Sequence, residues 1–498
     1  MKMVKSLLLG SAAGLVAVAG AQAADLPVKA KPVEYVKVCS LYGAGFWYVP
    51  GTDTCLKIGS FVREEIGYNQ SGSNVTGMAT GGGQFDRTDT SQLAFRTRAV
   101  VTVDLRTQTE YGVLRSYLEG GFESTGVNGG ATTNDVVFFD RGFIQFAGLT
   151  AGRIRSYFDI NSPYEFAYMS QMTTGDSNIF RGLWGIAYTA QFGNGLSASL
   201  SLEDGGSSDQ GNNLGQARGR GRRDINTAMA NQFGLGTESF DNEGWKFPDV
   251  IGALRIDQAW GYAQIAAALH DASGGYYSNA TAADACGANA NCQNLGHPGD
   301  AYGWAVTGGF HLQDVLGLKG DTFGVQAVFS VGASTYAAAA QTGAAQVYGA
   351  GNTAGFGWAS DGVYGTGTGI ELTTVWSVNA GYQHFWNPKW RTSLYGGITG
   401  IQYDAAAKAE LCGGPAVQFI AFSNCNPDFS YWQVGSRTQW NPHPDLDIGV
   451  DFVWTHLNTA FAGTATLTAN GARPGGVYTI QDQDVASVLF RIQRNFLP

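Results

Sequence analysis

The sequence predicts an all-β protein, a 16-stranded antiparallel transmembrane β-barrel with short periplasmic turns and long external loops. Three observations lead there. Segments of strand length with a two-residue apolar/polar alternation recur along the chain. The gaps between them alternate between short and long. Composition also suits turns and aromatic girdles better than a compact soluble core, with 71 Gly, 28 Phe, 22 Tyr and 12 Trp but only 14% charged residues. At 498 residues the chain would need two or three soluble sandwiches joined by linkers, and no Pro- or Ser-rich linker or composition break is present. A mean hydropathy of −0.09 argues against a bundle of membrane-spanning helices.

The N-terminus, "MKMVKSLLLGSAAGLVAVAGAQAADLP", places Lys2 and Lys5 before an apolar run from Leu7 to Gly20, followed by Ala21-Gln22-Ala23. This reads as a secretory signal cleaved after Ala23. The expected plan is a signal peptide at 1–23, an N-terminal segment at 24–54 and the barrel at 55–498. Losing Lys2 and Lys5 takes the formal charge from −10 to −12, a balance that speaks against nucleic-acid binding.

Sixteen candidate strands run near 55–68, 92–106, 110–124, 137–147, 150–158, 181–193, 195–203, 248–257, 260–271, 301–312, 321–331, 370–386, 389–403, 428–440, 445–457 and 484–497. Most are near the ~9–11 residues needed to cross a bilayer at a tilt. Tight gaps include "TQT" (107–109), "GLT" (148–150), "GNG" (193–195), "QA" (258–259) and "NP" (387–388). The long gaps lie at 69–91, 125–136, 159–180, 204–247, 272–300, 332–369, 404–427 and 458–483. Trp47, Tyr48, Trp260, Trp386, Trp390, Trp440 and Trp454 sit near segment ends, as interface girdles require.

The stretch "FRTRAVVTVDLRTQTEYGVLRSYLE" (Phe95–Glu119) shows the two faces most clearly. One register carries Phe95, Val101, Val103 and Leu105, and the other carries Arg96, Arg98, Asp104 and Arg106. Lys57 and Arg63 share a register of the first strand, Arg115 lies on the third, Arg141 goes with Gln145, and Arg153 and Arg155 go with Tyr157. An arginine facing lipid at mid-membrane costs ~2–4 kcal/mol, whereas one facing a wet lumen stays solvated. The cationic register is therefore expected to face inward, and these residues are the candidate pore lining.

Six cysteines form three local pairs, 39–55, 286–292 and 412–425, which are expected as disulfides in an exported chain: Cys39 with Cys55, Cys286 with Cys292 and Cys412 with Cys425. The absence of a CxxC and of metal-ligand spacing among the six histidines leaves no expected metal or cofactor.

"VKVCSLYGAGFWYVPGTDTCLKIG" (Val36–Gly59), "RTQTEYGVLRSY" (Arg106–Tyr117), "FIQFAGLTAGR" (Phe143–Arg153) and "RIQRNF" (Arg491–Phe496) resemble the general-diffusion porins of alphaproteobacteria related to rhizobia. The resemblance runs from the signal peptide to the last strand. It implies a 16-stranded barrel, a homotrimer in outer-membrane lipid and lipopolysaccharide, and passive passage of small hydrophilic solutes and ions. It also implies that the third long gap folds into the barrel, bringing Asp159, Glu165 and Asp176 opposite the arginine wall. "ARGRGRR" (Ala217–Arg223) suits lipopolysaccharide phosphates, acids of a neighbouring subunit, or a solvated loop equally. Three rivals remain open: a substrate-specific porin, a barrel enzyme and a secreted multi-domain adhesin. No G-x-S-x-G accompanies His270, His384 or His456, which weighs against the enzyme.

Overall fold

The computed structural model describes residues 37–71, 75–76, 93–127, 132–161, 165–169, 182–204, 223–224, 246–277, 293–338, 344–349, 351–413, 420–467 and 474–496. Sixteen strands form the barrel: β1 (Thr54–Tyr68), β2 (Leu93–Thr109), β3 (Gly112–Val127), β4 (Thr132–Phe146), β5 (Leu149–Ile154), β6 (Leu183–Gly193), β7 (Leu196–Glu203), β8 (Asp249–Gln258), β9 (Gly261–Asp271), β10 (Tyr302–Gln313), β11 (Thr322–Val331), β12 (Thr374–Asn387), β13 (Trp390–Gln402), β14 (Phe429–His443), β15 (Leu446–Asn458) and β16 (Gln483–Asn495). Each pairs antiparallel with the next. β1 closes the ring by pairing with β2 from Thr54↔Thr107 to Tyr68↔Leu93 and with β16 from Phe61↔Asn495 to Tyr68↔Val488. Closure leaves no open edge within the membrane.

All sixteen expected strands are present, with shifted ends. "TQT" belongs to β2, so that turn falls at Glu110-Tyr111. β5 stops at Ile154, four residues earlier than expected. β12 starts at Thr374 because Glu371–Leu372 pairs with Val363 and Gly362 in a loop instead. The β6–β7 turn places Asn194 at φ 51° and Gly195 at φ 77°, two successive left-handed residues of the kind a tight hairpin needs.

The outer face is apolar and exposed, with Phe122, Ile186, Leu200 and Ile265 each more than half accessible. In water such a band would be an association site, and a bilayer matches it. Trp386, Trp390 and Trp440 gather at the short-turn rim, where the Trp390 and Trp440 rings stack at 5.8 Å. Trp304, Trp432 and Trp454 lie toward the other end.

Described parts of the long loops form secondary structure of their own. Three of them build one five-stranded sheet, in the order Ala344–Gly349, Thr353–Trp358, Gly476–Ile480, Ala462–Leu467, Ile420–Asn424. Tyr348, Phe356 and Tyr478 pack within it, continuous with barrel residues such as Val375 and Tyr431. The disulfide Cys412–Cys425 ties the helix Ala405–Gly413 to this sheet. The disulfide Cys39–Cys55 is likewise formed. The expected pair Cys286 and Cys292, the cleavage site at Ala23 and Asp176 lie outside the described residues.

Candidate channel constriction

β5 ends where Ser156 turns the chain inward. Its hydroxyl oxygen accepts the Phe158 N–H at 3.0 Å, and Glu203 at the end of β7 accepts the Tyr157 N–H at 2.9 Å. The described residues from Tyr157 to Asn161 and from Glu165 to Met169 then lie against the inner wall from β9 to β16. Gln264 Nε2 donates to the Tyr157 carbonyl at 2.8 Å, and Asn161 Nδ2 donates to the Val325 carbonyl at 2.8 Å. Phe166 lies in a hollow left by glycines, and a Cβ added at Gly381 would overlap its ring. The expected inward third loop is therefore present.

The far end of this loop is pinned by charge. Asp451 accepts the N–H groups of Tyr168 and Met169, at 2.6 and 3.1 Å, and the Tyr395 hydroxyl at 2.6 Å. Arg437 donates to the carbonyls of Glu165 and Ala167, and Ser393 donates to that of Phe166. The Arg491 guanidinium lies 3.8 Å from the Tyr168 ring centre. Burial and the Asp447 carboxylate, to which it donates, push the Tyr168 phenol above its ordinary range.

The described part of this loop runs along β9–β16, away from the charged inner face of β1–β4. Lys57, Arg63, Arg96, Arg98, Arg106, Arg115 and Arg141 occupy the inward register there, while Phe95, Val101 and Leu118 are exposed outside. The wall is not simply cationic. Glu65 receives Arg96 Nε at 2.6 Å and Arg491 Nε at 2.6 Å. Asp104 receives Arg106 Nη2 at 2.7 Å and Arg115 Nη2 at 3.0 Å. Asp140 receives Arg98 Nη2 at 2.6 Å. Arg63 forms no ion pair among the described residues; its Nε donates to Gln493 at 2.7 Å and its guanidinium stacks on Phe61 at 4.7 Å.

Two sequence expectations are corrected. Arg153 pairs across the sheet with Trp184 and Gly142, in the outward register, and its Nε donates to the Gly182 carbonyl at 2.8 Å. It therefore does not share Tyr157's inward face, because the chain leaves strand geometry after Ile154. Of the expected loop acids, the described Asp159 and Glu165 do not stand free opposite the arginine wall. Asp159 is buried 3.8 Å from Arg155, and Glu165 lies 2.6 Å from His311.

The missed residues differ in legibility. Glu65 lies two residues after Arg63, so the same alternation places it inside. Asp140 was hidden by a bulge. Glu119 pairs with Arg141 but Gly120 with Phe139, and the extra residue, Asp140, turns inward beside Arg141. Arg437, Asp451 and Arg491 also lie on inward registers, but nothing local marks them as partners of a loop some 280 residues away.

A closed 16-stranded barrel with an apolar outer band, a polar interior and a loop laid along the inner wall defines a pore-type transmembrane barrel. The family model described as "Porin subfamily" matches residues 25–489, and the chain belongs to that family. Porin Omp2b of Brucella abortus (strain 2308) is 34% identical over 266 residues, covering 52% of this chain and 63% of that protein. Porin Omp2b of Brucella melitensis biotype 1 is 33% identical over the same length and coverage. The match thus spans less than two thirds of these relatives. The solved outer membrane channel DcaP of Acinetobacter baumannii has a TM-score of 0.56 at 14% identity, covering 90% of this chain and 99% of that one, a likeness of fold alone. Family membership and the barrel fold place the chain in the bacterial outer membrane as a multi-pass β-barrel.

Proposed function

We propose that the protein forms a water-filled channel for passive diffusion of small hydrophilic solutes and ions across the outer membrane. The observation that carries this reading is the described part of the third loop, which lines the inner faces of β9–β16, across the barrel from the charged register of β1–β4. A wide barrel narrowed on one side selects by size and by the charge of the remaining wall, with no binding chemistry required. Lys57, Arg63, Arg106, Arg115 and Arg141 are the pore-lining cations of this reading, with Arg155 at the root of the loop. Arg96 and Arg98 face the same way but are buried against Glu65 and Asp140 and serve as struts. The working form is a homotrimer embedded in lipid and lipopolysaccharide, as the family resemblance implies.

Reconstitution into planar bilayers tests this directly. Discrete ohmic steps, together with swelling of proteoliposomes in small sugars that fades as the sugar grows, are expected. A protein that inserts but carries no current overturns the reading. A substrate-specific channel is the second reading, favoured by Arg115 stacking on Tyr117 and Phe143 at 5.2 and 5.3 Å on the lumen face. It predicts that one solute blocks the current at low concentration while its analogues do not.

A further inference from the structure

Residues 38–48 build a structure that barrel closure does not require. Trp47 and Tyr48 pair with Leu56 and Cys55, on the edge of β1 that β16 reaches only from Phe61 onward. Val38 bridges Trp47, the Cys39 N–H donates to the Phe46 carbonyl at 2.9 Å, and the Tyr48 N–H donates to the Lys37 carbonyl at 2.9 Å. The result is a tight hairpin, and the buried Cys39–Cys55 bond fastens it to the inner face of β1, since Cys55 shares the register of Lys57.

Two inward cations of the lumen wall also contact this hairpin. Lys57 Nζ donates to the Ala44 carbonyl at 3.3 Å. The Arg106 guanidinium lies 5.0 Å from the Phe46 ring centre and 5.6 Å from that of Tyr42. Phe46 is buried by this arrangement, packed with the disulfide, Tyr42 and Tyr48.

We propose that residues 38–48 are a flap across the short-turn mouth of the lumen, a second constriction in series with the third loop, whose removal widens the exit and uncovers Lys57 and Arg106. The inference rests on the channel reading. Two narrow rings in series add their resistances, so releasing one raises the current even when the other is untouched. Uncovering two cations also favours anions at the exit.

The test compares single-channel conductance and reversal potential for the native chain, the C39S/C55S double variant and a Tyr42→Ala/Phe46→Ala variant that keeps the disulfide. The double variant is expected to conduct at least about 1.5-fold more than the native chain, with a reversal potential displaced toward anions at low salt. The ring variant is expected to move both readouts the same way by less, and it decides the matter if the chain without the bond fails to assemble. Variants that conduct and select like the native channel overturn the flap. A native chain that carries no current instead overturns the channel reading on which the flap depends.

Discussion

The inner faces of β1–β4 and of β13–β15 carry the same residue types and use them differently. On β1–β4, acids and arginines of the wall pair with one another: Glu65 with Arg96 and Asp104 with Arg115 on adjacent strands, and Asp140 with Arg98 across β3. On β13–β15, Arg437 donates to backbone carbonyls of the third loop and Asp451 accepts its backbone N–H groups. Charges paired within the sheet brace the wall itself. Charges paired with a foreign backbone hold another segment in place, because a carboxylate facing two N–H groups satisfies donors that the lumen wall would otherwise leave dry.

The largest expected effect breaks the first region. Glu65→Gln would leave Arg96 and Arg491 without their shared buried acid at the seam of β1, β2 and β16, and losing one member of a buried ion pair costs about 3–5 kcal/mol. The folded barrel, followed by its mobility on unheated gels, should melt markedly lower. An unchanged transition would mean that the backbone ladder alone holds the seam.

The second region should respond in current rather than in melting. Asp451→Asn removes a charged acceptor from two loop amides, and hydrogen bonds to charged groups contribute about 1.5–3 kcal/mol each. The third loop should loosen, with noisier and larger single-channel currents and a nearly unchanged melting temperature. Quiet, native currents would show that Arg437 and Ser393 suffice.

A smaller effect sharpens the contrast inside the first wall. Arg63, which forms no ion pair among the described residues, should affect selectivity more than Arg98, which is buried against Asp140. Arg63→Gln is expected to move the reversal potential away from anions at 0.1 M salt, where the Debye length is ~10 Å, and hardly at 1 M, where it is ~3 Å. Equal shifts for Arg63→Gln and Arg98→Gln would refute the division between lining and strut.

The smallest effect lies at the short-turn rim. Burial pushes the Asp321 carboxyl up, but hydrogen bonds from His384, Tyr382 and the Phe385 N–H outweigh it and hold it below its ordinary value. A carboxyl with a lowered folded pKa stabilises the fold above about pH 4, and that contribution is lost as the pH falls further. Asp321→Asn should flatten the acid side of the stability profile slightly; a profile identical to the native one would remove Asp321 from the account.

Sequence alone determined the strand count, the inward register of the first strands and the two local disulfides that the described residues contain. Each depends on residues close in sequence: the two-residue alternation of Phe95–Leu105, the turn at Asn194-Gly195, the 16-residue spacing of Cys39 and Cys55. Glu65 was equally readable, by its offset from Arg63. Tertiary structure decided the rest. The bulge at Asp140 breaks the alternation that would have put it outside, and the pairing of β5 with its neighbours puts Arg153 in the outward register. The pairing of Asp451 with Tyr168, and the loop sheet that joins Tyr348 to Tyr478, depend on which distant strands become neighbours when the barrel closes. Alternation is a local property of the extended backbone, so it survives in the sequence. Partnership across the lumen is a property of ring closure and shear, which no single strand encodes.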